Sequence, residues 1–301
     1  MSDEFVNNHD GDVGDVGVGV GGEVEKKKRE KKVVPELLRE WNPLSTWEIG
    51  VDEAGRGPLF GRLFVGGVVL PKPGMLCSDG EEFRYSWMKD SKKFTSHKKR
   101  KEVADYIQTH SLAWHVAFVE PEEIDRINIL QAVYQGMHEC IQSIMKQLGD
   151  RGYFGVWDGN GWCEEAGVLL LIDGNRFEHI SQWNSAIGRF EVLEHVCIEG
   201  GDNKVCAIAG ASILAKTAHD DYIMGMCSMY PELNVRYDLL KGMGYATKRH
   251  LDGIRNHGIT QWHRRTFGET CKNARFCPLS ELSSDLVSDA NNKDNAKVGM
   301  K

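Results

Sequence analysis

The middle of the chain alternates apolar runs of strand length with amphipathic stretches of helix length. Five segments have the length and apolar character of β-strands: residues 47–51, 63–70, 113–119, 168–172 and 191–198. Residues 97–107 and 205–226 have helical character, and the second begins with small residues that suit close packing on a sheet. This alternation predicts an α/β fold built on a mixed sheet with flanking helices.

A third helix is predicted to begin at Pro121. Proline favours the first turn of a helix, and the acids that follow it complement the positive end of the helix dipole. The apolar positions of this stretch share one helical face: Leu130, Val133, Met137, Ile141 and Ile144. The pattern predicts one continuous helix that runs to the start of the segment 147–167.

Composition divides the chain into four parts. Residues 1–40 begin with Gly/Val/Asp low complexity, continue with the charge run EKKKREKK, and are predicted to be a disordered tail. Residues 41–230 are predicted to form the main α/β domain, in which residues 147–167 have the composition of a surface insertion. Residues 231–277 carry short helical pieces and more charge, which predicts an appended helical module. The Ser/Asp/Asn/Lys-rich residues 278–301 are predicted to be a second disordered tail.

Charge is unevenly distributed along the chain. The formal net charge of −7 over 301 residues, taken whole, argues against a polyanionic partner. Residues 1–24 contain acids but no lysine or arginine, whereas residues 89–101 and 236–275 are basic. Two basic segments are compatible with a nucleic-acid footprint, and equally with solvated faces.

Eight cysteines are scattered along the chain, and no pair has C-x-x-C spacing. The spacing indicates neither a zinc site nor a redox motif, and it favours a reduced intracellular compartment. No apolar run reaches the length of about 18 residues that a membrane span needs, so we expect no membrane association. We expect a cytoplasmic location, or a nuclear one if residues 26–32 act as an import signal.

Three predicted strands run into acidic residues. Asp52 and Glu53 follow the first apolar run, Asp173 ends the run VLLLID, and Asp202 follows the last predicted strand. Each has an ordinary alternative, such as a turn acid, a helix cap or, for Asp173, an Asp-Gly hairpin turn. Because strand side chains alternate between faces, Asp52 and Glu53 are expected to converge only if Glu53 belongs to the turn.

Together the acids favour a metal site. Open α/β sheets commonly place functional groups at the carboxyl ends of their strands. Carboxylates gathered there would repel one another unless divalent cations shared them, and hard oxygen ligands favour Mg²⁺ or Mn²⁺. With basic segments nearby, the pattern indicates a phosphodiester substrate and two-metal phosphoryl transfer.

Seven short motifs identify a family that the chain resembles. GVDEAGRGPLFG, MKDSKKF, EIDRINIL, LLIDGN, GGDNKVCAIAGASILAK, GYATKRH and HRRTFG occur in the order and approximate spacing of prokaryotic-type ribonuclease HII, the type 2 ribonuclease H. The resemblance extends over residues 48–268. The Gly-Arg-Gly of the first motif resembles type HII rather than type HIII, which lacks it. The implied fold is ribonuclease H-like, a mixed sheet with flanking helices and a C-terminal helical module that binds substrate.

The resemblance also implies site residues and a cofactor. The catalytic and metal-binding positions of the family fall on Asp52, Glu53, Asp173 and Asp202, with Mg²⁺ or Mn²⁺ as the cofactor. A further family acid, which we class as supporting, falls on Asp220. The substrate-binding positions fall on Gly55, Arg56, Gly57, Lys92, Lys93, Asn128 and Tyr245.

The chemistry of several of these residues suits an enzyme that recognises a 2′-hydroxyl, the group that distinguishes RNA from DNA. Gly55 and Gly57 lack Cβ, so their backbone can approach a ribose, and Arg56 can reach the neighbouring phosphate. By resemblance, the ring of Tyr245 would pack on the sugar that follows the ribonucleotide. The histidines among the basic residues near the C terminus are expected to be structural or to face the backbone.

The implied activity is endonucleolytic cleavage of the RNA strand of RNA·DNA hybrids, and incision 5′ of single ribonucleotides in duplex DNA. The products would carry 3′-hydroxyl and 5′-phosphate ends, as in ribonucleotide excision and RNA primer removal, and a monomer is expected. Residues 209–212 and His219 depart from the family pattern, but none of the four metal ligands does. The alternatives are a resolvase- or integrase-like DNA nuclease, and a hybrid-binding protein without activity.

Overall fold

A computed structural model describes residues 36–45, 47–153, 167–184 and 188–282. The predictions for the low-complexity N terminus and the basic run lie outside these residues. So do those for most of the segment 147–167 and for most of the C-terminal tail.

The main sheet has five strands and mixed direction. The strands of the chain are β1 (Trp47–Ala54), β2 (Leu63–Val69), β3 (Ala113–Val119), β4 (Val168–Asp173), β5 (Ser181–Asn184), β6 (Arg189–Val192) and β7 (Glu194–Ile198). In the main sheet the order is β3-β2-β1-β4-β7. β1 is antiparallel to β2 and parallel to β4, and β4 is parallel to β7. The mixed sheet predicted from the alternation is therefore present.

The predicted strand 191–198 is in fact two strands. β6 pairs with β5 in a separate two-stranded hairpin, while β7 joins the main sheet. Leu193 separates them, and its backbone N–H donates to the carbonyl of Ile180 at 3.0 Å. Its side chain is buried in the core. Burial of this one leucine divides the chain between the hairpin and the main sheet, although the apolar pattern is continuous in sequence.

Helices cover both faces of the sheet. The helices of the described residues are α1 (His97–His110), α2 (Pro121–Ile127), α3 (Ile129–Asp150), α4 (Cys206–Met229), α5 (Pro231–Tyr237), α6 (Leu239–Gly242), α7 (Lys248–His257) and α8 (Gly268–Lys272). One apolar cluster joins β1 to α3, and a second joins the other face of the sheet to α1 and α4. The sheet therefore lies between two helical layers, as the fold class requires.

The continuous helix predicted from Pro121 is wrong, because the chain breaks at Asn128. This residue has a φ of 70°, which ends α2, and its side-chain oxygen accepts from the N–H groups of Leu130 and Gln131, which begins α3. Asparagine tolerates positive φ better than most residues and is a good helix cap. The predicted insertion also starts too early, since α3 continues to Asp150.

Small residues on β1 and β2 allow α4 to lie directly on the sheet. A Cβ on Gly50 would come within 2.2 Å of the backbone of Ala207, and one on Gly66 within 2.3 Å of the carbonyl oxygen of Ala211. Only glycine fits at such contacts. The small-residue start of α4 therefore packs closely on the sheet, as predicted, and brings the next turn of the helix to the end of β1.

The segment after α4 shares a hydrophobic core with the main fold. Leu59, Phe60 and the α4 residue Ile223 pack with buried side chains of α5 to α8. Leu282 is buried in this cluster, and the backbone N–H of Leu38 donates to the carbonyl of Lys204 at 2.8 Å. The ordered chain thus extends beyond the predicted limits of 41 and 277. The functional division at residue 230 stays a prediction.

Candidate active site

A pocket of about 440 Å³ opens at the carboxyl end of β1 and β4. Its lining includes most of the residues proposed from the resemblance, together with four that were not. The lining residues are Asp52, Glu53, Ala54, Gly55, Arg56, Ser91, Lys92, Asp173, Asp202, Ser212, Lys216 and Tyr245. Segments distant in sequence therefore meet in one concave site.

Asp52 and Asp173 are brought together by the parallel pairing of β1 and β4. The last pair in this ladder is Val51 with Ile172, so each aspartate comes directly after it. Asp52 is buried, and burial, then the charges of Asp173 and Glu53, raise its pKa well above the usual range. The N–H of Gly201 donates to Asp173 Oδ1 at 2.7 Å, which ties the end of β4 to the loop that carries the next acid.

Glu53 lies within β1 and not in the turn. The prediction that Asp52 and Glu53 converge only if Glu53 belongs to the turn is therefore wrong. Its pairing with Val65 of β2 is regular. It reaches the pocket because β1 extends past its pairing with β4, so that side chains from both faces of β1 reach the open end of the sheet. Burial raises the pKa of Glu53, opposed by Arg56, whose Nη1 lies 3.3 Å from Oε1.

Asp202 lies in the 3₁₀ turn Gly201–Asn203 before α4. Its Oδ1 accepts a hydrogen bond from the side chain of Asn203 at 2.9 Å. Burial raises its pKa, as do the nearby charges of Asp90 and Asp173. Lys93 donates to the side-chain oxygen of Asn203 and so lies next to this acid without lining the pocket.

The donor set of the pocket fits a hard divalent cation. Burial and mutual repulsion raise the pKa values of three of the four acids. The pocket therefore carries an excess of negative charge when these carboxyl groups are ionised. Carboxylate oxygens are the ligands that Mg²⁺ and Mn²⁺ prefer. Among the described residues, no three of these acids bring their oxygen atoms within 4.8 Å of one another.

The Gly-Arg-Gly loop follows β1 and leaves no room for side chains at its first glycine. Gly55 has a φ of +85°, and a Cβ there would lie 2.7 Å from the ring of His219 and 2.9 Å from the carbonyl of Arg62. A Cβ on Gly57 would lie 3.4 Å from the ring of Tyr245. A side chain at Gly57 would thus contact the tyrosine, so the loop and the ring are neighbours although they are far apart in sequence.

Arg264 holds this loop from beneath. Its side chain is completely buried, with 0% exposure. The guanidinium donates to the carbonyl oxygens of Gly55 (2.6 Å), Arg56 (3.0 Å) and Gly61 (3.0 Å). Burial lowers its pKa to about 10, so it stays charged at neutral pH. The motif HRRTFG contains this residue, but nothing local to it indicates a contact with the first motif.

Tyr245 is held by a chain of buried hydrogen bonds. The N–H of Thr260 donates to His263 Nδ1 at 3.0 Å, so His263 Nε2 carries the proton and donates to His250 Nε2 at 3.2 Å. His250 Nδ1 then donates to the carbonyl oxygen of Tyr245 at 2.9 Å. Burial lowers the pKa of both histidines, which favours the neutral forms that this chain requires. The ring of Tyr245 remains 44% exposed.

Asp220 does not line the pocket, but it contacts a residue that does. It accepts from Lys216 Nζ at 2.7 Å and forms an ion pair with the buried Arg100 of α1. Burial acts to raise its pKa, but hydrogen bonds from His219 and Lys216 outweigh burial and lower the pKa to about 2. Asp220 therefore positions Lys216, which does line the pocket.

Four of the candidates from the resemblance do not line the pocket, and four lining residues were not predicted: Ala54, Ser91, Ser212 and Lys216. Of the four candidates, Gly57 and Asp220 lie beside the pocket. Lys93 and Asn128 are outside the lining, the latter with its side-chain oxygen used as the cap of α3. Ser212 and Lys216 were not predicted. Their spacing of four residues places them on one face of α4, the face that meets the end of β1. Ser91, which lies 3.0 Å from the hydroxyl of Ser212, was also missed.

Comparison with known proteins gives a consistent result. The family model described as Ribonuclease HII matches residues 49–149 and 170–270. The chain is 38% identical to Ribonuclease HII of Parabacteroides distasonis over 220 residues, which covers 73% of this chain and 89% of that protein. It is 32% identical to Ribonuclease HII of Trichormus variabilis over 228 residues, 76% of this chain and 84% of the relative.

Among solved structures, the chain is similar to ribonuclease H2 from Pyrococcus horikoshii, with a TM-score of 0.49 and 22% identity. That alignment covers 75% of this chain and 95% of the other. The length of the family match and the identity over most of the chain lead to one conclusion: the chain belongs to the ribonuclease HII family.

Proposed function

We propose that this ribonuclease H endonuclease cuts the RNA strand of RNA·DNA hybrids and incises duplex DNA 5′ of single ribonucleotides. Its membership of the ribonuclease HII family makes it a ribonuclease H. One observation carries the finer specificity: the Gly-Arg-Gly loop and the exposed Tyr245 lie next to one another at the carboxylate pocket. A site that recognises a sugar would therefore lie next to the site that cuts.

In this proposal Asp52, Glu53, Asp173 and Asp202 hold two Mg²⁺ or Mn²⁺ ions. When bound, such ions lower the pKa of a water nucleophile and stabilise the leaving 3′-oxygen. The protein supplies rigidity, because Asp173 and Asp202 each accept a hydrogen bond from the 3₁₀ turn Gly201–Asn203. The burial of Asp52 also excludes bulk water from one side of the pocket.

The remaining residues bind the duplex. Lys92 lines the pocket and Arg56 has a half-exposed side chain, so both are available to a phosphate. Lys216 also lines the pocket, where its ammonium group is held by Asp220. Lys93 and Asn128 would contact the backbone of the duplex outside the pocket, with the chain acting as a monomer.

A labelled duplex that contains one ribonucleotide tests this proposal with Mg²⁺ or Mn²⁺ present. We expect a single cut 5′ of the ribonucleotide, with 3′-hydroxyl and 5′-phosphate ends. An all-DNA duplex of the same sequence is the matched control. Equal cutting of the two would favour the alternative of a DNA nuclease, and binding without cutting would favour an inactive hybrid-binding protein.

A further inference from the structure

A second cluster of metal-ligating side chains lies where the loop after β2 meets the end of α1. The ligand atoms of Cys77, Asp79 and His110 all lie within 4.8 Å of one another. His110 Nδ1 is 3.7 Å from Asp79 Oδ2. Two such ligands on a tetrahedral zinc ion, each about 2.1 Å from the metal, would be about 3.4 Å apart. The observed spacing is therefore close to the spacing that zinc requires.

The ring nitrogen of His110 has an unusual environment. Nδ1 is buried and has no hydrogen-bond partner within the described part of the chain. Buried polar atoms nearly always have a partner, and the carboxylate of Asp79 is too far away to serve as one. The nitrogen thus lies within 4.8 Å of a carboxylate oxygen and of the Cys77 sulfur, whose thiol donates to the carbonyl oxygen of His110 at 3.8 Å. A metal ion between them would satisfy all three atoms.

The protein places these ligands from two separate elements. In the loop, the N–H of Gly80 donates to the carbonyl of Cys77 at 2.9 Å, which makes a tight turn that carries Cys77 and Asp79. On α1, the ring of Tyr106 packs against that of His110 with centroids 4.3 Å apart. The turn and the stacked ring limit the movement of the ligands, so a metal would find them largely in place.

We propose that Cys77, Asp79 and His110 bind one Zn²⁺ ion, with water as the fourth ligand. Thiolate and imidazole ligands favour zinc, whereas the oxygen-only pocket favours Mg²⁺ or Mn²⁺, so each site selects its own metal. Binding releases the thiol proton of Cys77 to solvent, because the thiolate is the ligand. The cysteine spacing by itself does not indicate this site, because the ligands are 2 and 33 residues apart in sequence and do not form a recognised spacing.

Zinc at this position would stabilise the segment that leads into the catalytic pocket. Tyr106, which packs on His110, also accepts from the N–H of Arg84 at 2.9 Å and packs on Trp87 with centroids 4.9 Å apart. Ser91 and Lys92, which line the pocket, follow a few residues later. The role we assign to the ion is structural, and it does not depend on the catalytic proposal.

The test is a titration of the full chain with Zn²⁺ in the presence of excess Mg²⁺, which competes for oxygen-only sites such as the carboxylate pocket. We expect one equivalent to bind, and Cys77→Ser to weaken its affinity by at least about 100-fold, since partners outside the ligand shell alone contribute 10–100-fold. At about 100 times Kd, bound Zn²⁺ should raise the Tm by roughly 5–10 °C. Co²⁺ should show a thiolate-to-metal charge-transfer band that Cys77→Ser removes.

Two further variants test whether the changes in zinc binding come from this site and not from a general effect on folding or on the number of thiols. Asp79→Asn changes an exposed side chain, so it should fold normally while still losing affinity and the Tm rise. Cys197→Ser is the matched control, because Cys197 is a partly buried free thiol in β7. Loss of zinc binding in the control, or equal zinc binding in wild type and Cys77→Ser, overturns the proposal. Asp52→Asn should bind zinc normally whether or not the catalytic proposal holds.

Discussion

Arg264 is the residue whose loss should most directly damage the Gly-Arg-Gly loop. Its buried guanidinium donates to the carbonyl oxygens of Gly55, Arg56 and Gly61, and these are residues 203 to 209 positions away in sequence. The substitution Arg264→Met keeps a long apolar side chain but removes all three hydrogen bonds. It leaves three carbonyl groups at the base of the loop without the partner that now orients them.

The expected cost can be worked from the structure. Hydrogen bonds from a charged donor are worth about 1.5–3 kcal/mol each, so three are worth roughly 4.5–9 kcal/mol. Against this stands the cost of keeping the cation buried. Its pKa falls from the ordinary value of 12.5 to about 10, which corresponds to roughly 3 kcal/mol. Arg264→Met should therefore lower the free energy of unfolding by roughly 2–6 kcal/mol.

Urea unfolding at neutral pH measures this loss, and incision of a duplex with one ribonucleotide measures its effect on the loop. Arg264→Lys separates charge from geometry, because a single ammonium group cannot reach three carbonyls in the way a planar guanidinium does. We expect Arg264→Lys to recover less than half of the lost stability. The neighbouring Arg265 has an exposed side chain, so Arg265→Met is the matched control and should change stability by less than about 0.5 kcal/mol.

Two results would refute the reasoning. The first is full stability and full incision in Arg264→Met, which would mean that the three hydrogen bonds do not hold the loop. The second is full recovery in Arg264→Lys, which would mean that the charge at this position matters and the three-way contact does not.

Three further predictions concern the pocket and its supports. Asp52→Asn should abolish cleavage yet raise the Tm of the metal-free protein, because it removes a buried charge whose pKa is raised by burial and by Asp173; a lower Tm in differential scanning calorimetry would contradict this. The pKa values of His250 and His263 are depressed in the fold, so the unfolded chain takes up protons first as the pH falls below 6.5. These two histidines should therefore contribute a decline in stability of up to about 3 kcal/mol per pH unit below that value, opposed in the metal-free protein by the raised pKa values of Asp52, Glu53 and Asp202. In urea unfolding over the same pH range, wild type should lose more stability than His263→Gln. Tyr245→Ala should reduce incision at single ribonucleotides more than cutting within long RNA tracts, whereas equal losses in parallel assays would remove its role beside the sugar.

Local patterns in the sequence identified most of the elements, and their failures have local causes. Strands were found because burial on both faces leaves continuous apolar runs, and α4 was found from its small residues. The break at Asn128 was missed because apolar periodicity continues through it, although asparagine is a good helix cap. Leu193 was missed for a similar reason, since a buried leucine between two strands has the same pattern as one within a strand.

The sequence by itself determined the fold class, most of the elements and the acids at or after the strand ends, because these depend on neighbours along the chain. The tertiary structure alone decided which of these groups meet. Parallel pairing places Asp52 beside Asp173, and packing places Arg264 beneath the Gly-Arg-Gly loop. The same is true of Cys77 and His110, whose meeting depends on where α1 ends. Contacts between distant segments depend on how helices pack on the sheet, and no local periodicity encodes that packing.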